Sequence, residues 1–317
     1  MRILVTGSSG FIGYHLCNAL IERGDTVIGI DNIDELPYGR TLKLKRASNL
    51  KKKMIQYELN IVHDTIPASV INVDVVVHLA ALAGVRNSIL YPTRYVNTNI
   101  NGWIQILREF KKCKNFIFAS SSSVYGGSSE NQPCKETDEC KPVSLYGVTK
   151  RAGELIASIE TRSSDINITA FRFFTVYGTW GRPDMALYKF MHNILNDKPI
   201  TVYGHGKMKR DFTYVDDIVQ GIITVINNQE KGYNIYNLGA NDSRNLTEFI
   251  EIIEKCIGKK AIMEYTQMQN GDVVNSSAST VKMAIRHNWH PKTSIDIGIP
   301  NVVKWFVDNK DLFKVFP

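Results

Sequence analysis

The sequence predicts an α/β protein with a doubly wound parallel sheet and a smaller C-terminal lobe. Through about the first 180 residues, short apolar runs alternate with segments whose apolar side chains recur at helical spacing. This alternation is typical of parallel strands joined by crossover helices, which cover both faces of a sheet. A glycine-rich turn directly follows the first apolar run. Beyond about residue 180 the alternation gives way to scattered helices and short strands, which predicts a separate lobe.

The elements of the predicted sheet follow in chain order. Apolar strand runs recur as RILVTG, TVIGID, VDVVVHLA, KNFIFASS and ITAFRFF. Helical periodicity marks residues 11–23, about 92–112 and about 144–161. In the lobe, the segments TVYG and YNIYNLG are predicted short strands. We therefore expect a sheet domain over residues 1–180 and a lobe over 181–317, from which segments can return to the main sheet.

Composition narrows the class of protein. The chain has 317 residues, 44% of them hydrophobic, which is enough for a substantial core. Since no apolar run approaches the roughly 18 residues of a spanning helix, we expect neither a membrane segment nor a signal peptide. The five cysteines are odd in number and form no CxxC pair, which favours reduced thiols in the cytoplasm.

The net charge and its distribution indicate which kinds of binding partner to expect. The net charge of +7 suits an anionic ligand. The densest basic cluster, residues 43–53, lacks interleaved aromatics, so we interpret it as solvated surface and expect no nucleic-acid partner. The seven histidines form no metal-binding pattern, and no metal is expected.

The turn GSSGFIG has the features of a dinucleotide site. It follows the first strand and opens the first helix, so Gly7 and Gly10 would allow a tight turn and Gly13 close helix packing. The helix N-terminus would then face a pyrophosphate. Asp31 ends the second strand, 24 positions after Gly7, where a carboxylate can bind both ribose hydroxyls and would repel a 2′-phosphate. These features predict a Rossmann-like domain that binds NAD in preference to NADP.

YGVTK contains a candidate catalytic pair. Tyr146 and Lys150 are four residues apart on a predicted helix and therefore share one face. This helix follows the strand that ends in ASSSSVYG, within a dinucleotide-binding topology. A tyrosine with its pKa lowered from about 10 by nearby positive charge can remove the proton of a substrate hydroxyl. We expect Lys150 and the nicotinamide ring to supply that charge while the carbon beneath gives hydride to NAD.

In this order, GxxGFIG, SSxxVYG and YxxxK resemble the extended short-chain dehydrogenase/reductase family, which includes the nucleotide-sugar epimerases. The resemblance spans essentially the whole chain. The segments FRFFTVYGTWGRPDMALYKF, RDFTYVDDI and QNGDV are similar to the UDP-glucuronate 4-epimerases. The resemblance implies that the C-terminal lobe binds the UDP-sugar and that two copies of the chain form a homodimer through the helices near 92–112 and 144–161.

The resemblance also implies roles for individual residues. The catalytic set is Ser121, Tyr146 and Lys150. The expected NAD site comprises Gly7, Gly10, Phe11, Ile12, Gly13, Asp31, Asn32, Asn60, Ile61, Leu79, Ala80, Ala81, Asn99, Tyr146, Lys150 and Phe173. The expected substrate site comprises Ser122, Ser123, Thr175, Arg182, Lys189, Tyr203, Arg210 and Asp272. Within that set, Arg210 matches the family's diphosphate arginine and Tyr203 its uridine contact, while Lys189 and Asp272 also suit a surface helix and a loop cap.

The consecutive serines favour one reaction over others. Related dehydratases and decarboxylases carry carboxylates between the strand-end serine and VYG, whereas this chain has Ser122 and Ser123. A 4-keto glucuronate loses carbon dioxide readily unless its carboxylate is held still. Ser121, Ser122, Ser123 and Thr175 would hold it in one orientation with neutral hydroxyl donors. The alternative is that only Ser121 acts in the reaction and the other serines satisfy backbone groups in a turn.

Three positions depart from the family pattern or separate its branches. Asn60 replaces the usual acidic residue before Ile61, which removes a charged acceptor for the adenine amine but leaves an amide. Leu82 replaces a usual glutamine in HLAAxAGVR. Gln269 stands where galactose epimerases have an arginine, as in the glucuronate branch.

The expected function is therefore 4-epimerisation of UDP-glucuronate to UDP-galacturonate with bound NAD. UDP-galactose or UDP-N-acetylhexosamine epimerisation and UDP-glucuronate decarboxylation remain alternatives within the same chemistry. A binding protein that senses NAD or a nucleotide sugar is the alternative outside it, although such a sensor has no need of Ser121, Tyr146 and Lys150 together.

Overall fold

The computed structural model describes residues 1–129, 132–269 and 271–313, so the last four residues of the predicted lobe lie outside the described residues. The strands are β1 (Arg2–Thr6), β2 (Thr26–Asp31), β3 (Ile55–Glu58), β4 (Val75–His78), β5 (Asn115–Ser121), β6 (Asn167–Phe173), β7 (Thr175–Tyr177), β8 (Pro199–Tyr203), β9 (Lys209–Tyr214), β10 (Tyr233–Leu238), β11 (Ser243–Asn245), β12 (Ile262–Thr266) and β13 (Asn275–Ser276). The α-helices are α1 (Phe11–Glu22), α2 (Thr41–Lys51), α3 (Val85–Leu90), α4 (Pro92–Val96), α5 (Gly102–Glu109), α6 (Leu145–Ser163), α7 (Ala186–Leu195), α8 (Val215–Asn227), α9 (Leu246–Ile257), α10 (Val281–His287) and α11 (Ile295–Asp308).

The main sheet has seven strands in the spatial order β3, β2, β1, β4, β5, β6, β10. Every neighbouring pair in it is parallel. Because the strand order reverses between β1 and β4, a crevice opens at the carboxyl ends of these two strands. The predicted α/β fold with a doubly wound parallel sheet is confirmed.

The smaller sheets belong to the C-terminal part of the chain. One joins β7, β9, β11 and β13, and another pairs β8 with β12. By contrast, β10 lies after residue 180 in the sequence and pairs with β6 at the edge of the main sheet. The division into units at residue 180 stays a prediction.

Apolar side chains fill both faces of the main sheet. Val5, Leu16 and Ile222 belong to the cluster on the face covered by α1 and α8. Trp103 and Phe118 belong to the cluster on the opposite face, which α5 and α6 cover. A third cluster lies between the small sheets and helices α7, α9 and α11. Packing on both faces of the sheet therefore fixes the carboxyl ends of its strands, where the polar residues of the predicted site lie.

Three local features differ from the sequence prediction. The helix expected over about 92–112 is divided into α4 and α5 by a π-helical segment at Asn97–Asn101. Strand β3 was not predicted, because its sequence IQYE lacks a buried apolar run at the edge of the sheet. The interpretation of residues 43–53 as solvated surface is wrong for Lys43 and Arg46, which are buried.

No helix in the described part of the chain is long and apolar enough to cross a membrane.

Candidate active site

A cavity of about 900 Å³ opens at the carboxyl ends of the main sheet and extends between the sheet and the C-terminal part of the chain. The structure brings all but one of the predicted site residues to its walls. The exception is Asn99, which is buried beside the cavity. Its side chain exchanges two hydrogen bonds with the backbone of Leu82 and donates a third to the Thr149 hydroxyl. Asn99 thus braces the cavity wall from behind instead of lining it.

The glycine turn leaves room where a dinucleotide phosphate would approach. Gly7 has a φ of +71°, and a Cβ on it would lie 2.8 Å from the Ala80 nitrogen. A Cβ on Gly13 would lie 2.1 Å from the Gly7 carbonyl oxygen. Among the described residues, no side chain caps the N-terminus of α1, so its backbone N–H groups remain available to an anion. The turn therefore fits a pyrophosphate.

Asp31 faces the cavity from the end of β2. Its two carboxylate oxygens accept the backbone N–H groups of Ser9 and Ile33, each at 2.9 Å. Burial raises the pKa of this carboxyl, while those two hydrogen bonds and the charge of Lys43 lower it. Because the carboxylate is fixed and still lines the cavity, it can accept ribose hydroxyls as the sequence predicts.

Asn60, the first departure from the family pattern, lies in the wall of the cavity. Asn60 lines the wall with Ile61, and its side-chain oxygen accepts the N–H of Val62 at 2.9 Å. The second lone pair of that oxygen remains for a ligand amine. Leu82, the second departure, also lines the wall and is itself buried. Both residues therefore lie in the wall of the cavity.

The candidate catalytic pair lies at the start of α6. This helix begins after Ser144, whose hydroxyl caps it by accepting the Gly147 N–H at 3.1 Å. Lys150 lies one turn beyond Tyr146, with its Nζ 6.0 Å from the Tyr146 ring centroid. The same Nζ donates to the Ala119 carbonyl oxygen at 2.8 Å. Tyr146 and Lys150 therefore face the end of β5, where the serines stand.

The protonation of this pair depends on burial. Burial lowers the pKa of Lys150 from 10.5 to about 7. Burial also raises the pKa of Tyr146, although a hydrogen bond with Ser121 and the charge of Arg182 act to lower it. The groups of the protein alone therefore do not produce the lowered tyrosine pKa that the sequence predicts. The sequence prediction also counts on the positive charge of the nicotinamide ring.

The serines form a short turn at the end of β5. Ser121 accepts the Ser123 N–H and also donates its hydroxyl to the Ser123 oxygen, each at 3.1 Å. Residues Ser122–Val124 form a 3₁₀ turn. Ser122, Ser123 and Thr175 together line a side chamber of about 140 Å³. Three of the four residues expected to hold the sugar carboxylate thus line this chamber, while Ser121 lines the main cavity.

Arg182 carries positive charge to the same region. Its guanidinium binds both oxygens of Asp184, at 3.0 and 2.6 Å, and lies 5.8 Å from the ring centroid of Tyr38. Tyr38 also accepts a hydrogen bond from Arg46 and lies beneath the ammonium of Lys43. Sequence reasoning assigned no role to Tyr38 and placed Lys43, on α2, at the solvated surface.

The far end of the cavity contains the residues expected to bind UDP. Tyr203, Arg210, Asp272 and Lys189 all line it. The guanidinium of Arg86 lies 5.0 Å from the Tyr203 ring centroid and 3.9 Å from an Asp272 oxygen. Sequence reasoning missed Arg86 as a lining residue, although it ends the motif HLAALAGVR. Two arginines, Arg86 and Arg210, therefore border this part of the cavity.

Comparisons with known proteins agree with this geometry. Residues 3–239 match the sequence model of the NAD dependent epimerase/dehydratase family. A UDP-glucuronate 4-epimerase from Thermodesulfobacterium geofontis is 38% identical to the chain over 98% of each protein. UDP-glucuronate 4-epimerase 1 from Arabidopsis thaliana is also 38% identical, over 97% of the chain and 77% of its own length. The crystal structure of UDP-glucuronic acid 4-epimerase from Bacillus cereus, in complex with UDP-glucuronic acid and NAD, is similar with a TM-score of 0.92 and 33% identity, over 98% of this chain and 100% of that one.

Proposed function

Because the chain belongs to the NAD dependent epimerase/dehydratase family, we propose that it is a UDP-glucuronate 4-epimerase, which interconverts UDP-glucuronate and UDP-galacturonate. One observation carries the choice of reaction. The cavity wall that contains Tyr146 also contains Ser122 and Ser123, which stand where related dehydratases and decarboxylases carry carboxylates.

The proposed cofactor is NAD, and the cavity fits it. The glycine turn and the uncapped N-terminus of α1 would hold the pyrophosphate, and Asp31 would hold the ribose hydroxyls. When bound, NAD supplies the acceptor and donor of hydride for carbon 4 of the sugar. The remaining predicted NAD residues, other than Asn99, line the same part of the cavity.

In the proposed mechanism the protein transfers one proton and holds the sugar carboxylate in one orientation. Tyr146 takes the proton of the sugar 4-hydroxyl and later returns it, with Ser121 as hydrogen-bonding partner of the phenol. The ammonium of Lys150, held by the Ala119 carbonyl, stabilises the phenolate. Ser121, Ser122, Ser123 and Thr175 hold the sugar carboxylate in one orientation with neutral hydroxyl donors, which prevents loss of carbon dioxide while carbon 4 is a ketone. Arg182 lies near the sugar.

The substrate's nucleotide would occupy the far end of the cavity. Arg210 is proposed to bind the diphosphate and Tyr203 the uracil ring, with Lys189 and Asp272 as further contacts. Burial lowers the pKa of Arg210, and the charge of Asp272 opposes that effect. An anionic diphosphate would compensate this half-buried cation.

The direct experiment is incubation of the purified protein with UDP-glucuronate, without added NAD, and resolution of the products by chromatography and proton NMR. UDP-galacturonate is the expected product. A UDP-pentose would support decarboxylation instead. No reaction, followed by turnover of UDP-galactose or a UDP-N-acetylhexosamine, would support an epimerase of neutral sugars.

The proposal includes a homodimer. Val148, Leu155 and Ile159 on α6 are exposed apolar side chains, as are Ile89 and Leu90 on the adjoining α3. Exposed apolar side chains clustered on neighbouring helices are typical of an interface. Leu155→Glu should convert the dimer to a monomer in light scattering, whereas a wild-type monomer would contradict the assignment.

The proposal also includes a cytoplasmic location. Cys17, Cys113, Cys134, Cys140 and Cys256 are free thiols in the structure, which suits a reducing compartment. Cell fractionation with an antibody to the chain would test it.

A further inference from the structure

A buried ion pair lies behind the serine turn, on the side away from the cavity. Arg172 on β6 donates to both oxygens of Glu154 on α6, each at 2.9 Å. The side chains of Glu154 and Arg172 are 0% and 2% exposed. Burial of a charged pair contributes little stability compared with apolar packing. Because the pair joins α6 to β6, we interpret it as a contact that fixes these two elements relative to each other.

This pair is connected to the serine turn through Ser120. The Ser120 hydroxyl donates to Glu154 Oε1 at 2.5 Å. It does not satisfy a backbone group of the turn, as the simpler interpretation of the serines would require. Ser120 directly precedes Ser121. Its hydrogen bond to Glu154 therefore fixes the backbone next to Ser121, whose hydroxyl is the proposed catalytic group.

The same helix face carries the catalytic pair. Tyr146, Lys150 and Glu154 follow one another at intervals of four residues, so they lie along one side of α6. Lys150 holds the Ala119 carbonyl and Glu154 holds the Ser120 hydroxyl. Two consecutive residues of β5 are thus attached to two consecutive turns of α6, immediately before Ser121.

The cluster also reaches the chain beyond the serines. The guanidinium of Arg172 lies 4.6 Å from the ring centroid of Tyr125, which follows the turn at Ser122–Val124. The Tyr125 hydroxyl donates to Asn237 on β10 at 2.7 Å. Both ends of the serine turn are therefore held by groups that contact the Glu154–Arg172 pair.

We propose that Ser120, Glu154 and Arg172 are positioning residues, which set the distance between the Ser121 hydroxyl and the Tyr146 phenol by fixing β5 against α6. The inference rests on the proposed function for the roles of Ser121 and Tyr146. It assigns none of the three residues a contact with substrate. Glu154 and Arg172 are unsuitable for a first test, because removal of Glu154 leaves Arg172 buried without its carboxylate, and removal of Arg172 leaves the buried Glu154 with only Arg151 as its ion-pair partner.

The test uses Ser120→Ala, which removes only the link and leaves the ion pair intact. Thr169→Val is the matched control, because Thr169 is a buried hydroxyl residue on the neighbouring strand and pairs with Ile117 of β5. With UDP-glucuronate, kcat of Ser120→Ala should fall about tenfold with KM nearly unchanged, as expected for a small misplacement of a catalytic group. The acidic limb of kcat/KM, set by Tyr146 beside Lys150 and Arg182, should move upward by roughly half a pH unit.

Hydrogen exchange of the same variants gives a readout that does not depend on turnover. The backbone amides of 119–124 should exchange faster in Ser120→Ala than in the wild type, whereas those of β4 should not change. Thr169→Val should match the wild type in all three measurements. If Ser120→Ala matches that control in kcat, pH profile and exchange, or loses activity only in proportion to folded protein, the positioning role is wrong. A wild-type enzyme that does not convert UDP-glucuronate would contradict the proposed function instead, and the exchange result would still decide whether Ser120 holds the strand end.

Discussion

Lys150 Nζ lies 2.8 Å from the carbonyl oxygen of Ala119, so the proposed catalytic lysine joins helix α6 to the carboxyl end of strand β5. The Lys150 ammonium therefore makes two contacts. It lies near the phenol ring of Tyr146, and it holds the strand that presents Ser121. This arrangement brings the serines at the end of β5 and the YxxxK motif on α6 to the wall of one cavity.

The phenol of Tyr146 is the group that the mechanism requires for proton transfer. Tyr146→Phe removes the hydroxyl and keeps the ring, so kcat with UDP-glucuronate should fall about 10³-fold, within the usual range for loss of an acid–base group. NAD should remain bound, because the glycine turn and Asp31 are unchanged. NAD released by acid and quantified per protein chain checks this second part. Turnover equal to that of the wild type would contradict the assigned role.

The charge of Asp31 should determine the preference between dinucleotides. Asp31→Ser removes the carboxylate from the end of β2, so NAD affinity should fall about tenfold and the discrimination against NADP should largely disappear. Fluorescence titration with both nucleotides measures the change. Asp165→Ser is the control, because its carboxylate is exposed and pairs with Lys114 outside the cavity. An unchanged NAD/NADP ratio in Asp31→Ser would show that another group sets the preference.

The hydroxyls around the side chamber should control the fate of the 4-keto intermediate. In the double variant Ser122→Ala with Thr175→Val, the sugar carboxylate loses donors and can rotate out of the ring plane. A UDP-pentose should then form as roughly a tenth of the product, because orientation alone is expected to change the rate by orders of magnitude. NMR of the product mixture measures the ratio, with Ser129→Ala at an exposed position as control. An absence of pentose would support the alternative in which only Ser121 acts.

The buried ammonium of Lys150 should make stability depend on pH in a predictable direction. Its pKa falls from 10.5 in the unfolded chain to about 7 in the folded chain. Between these values the unfolded chain binds more protons, so the unfolding free energy rises with pH. Lys150→Met lacks this contribution. In protein freed of nucleotide, the unfolding free energy of the wild type relative to Lys150→Met should be higher at about pH 9 than at about pH 6.5. Urea denaturation at both values gives the comparison, and an equal difference at the two would mean that burial does not lower the pKa of Lys150.

The sequence was sufficient for the parts of the site that depend on local pattern. The glycine turn, Asp31, Tyr146 and Lys150 follow from strand and helix periodicity, because each lies at a fixed offset from the end of an element. Their common cavity follows from the parallel topology, which places all carboxyl ends of the strands at one edge.

Other features depend on contacts between distant segments and were not predicted. Arg46 is buried because it reaches the backbone of Ser9 and of Gly181, which are far apart in the sequence. Arg86 borders the nucleotide end only because Tyr203 and Asp272 fold back onto it. Asn99 was assigned to the cavity wall by resemblance, yet its amide is satisfied by Leu82 and Thr149. Periodicity carries no information about such pairings.

The most direct test of the central claim follows the hydrogen at carbon 4 of the sugar. UDP-glucuronate deuterated at carbon 4 is incubated with the purified protein, without added NAD, in ordinary water. Transient oxidation at that carbon with return of the same hydride predicts UDP-galacturonate that retains deuterium at carbon 4, as measured by NMR and mass spectrometry. UDP-galacturonate with solvent hydrogen at carbon 4, or a failure to form it, would contradict the account.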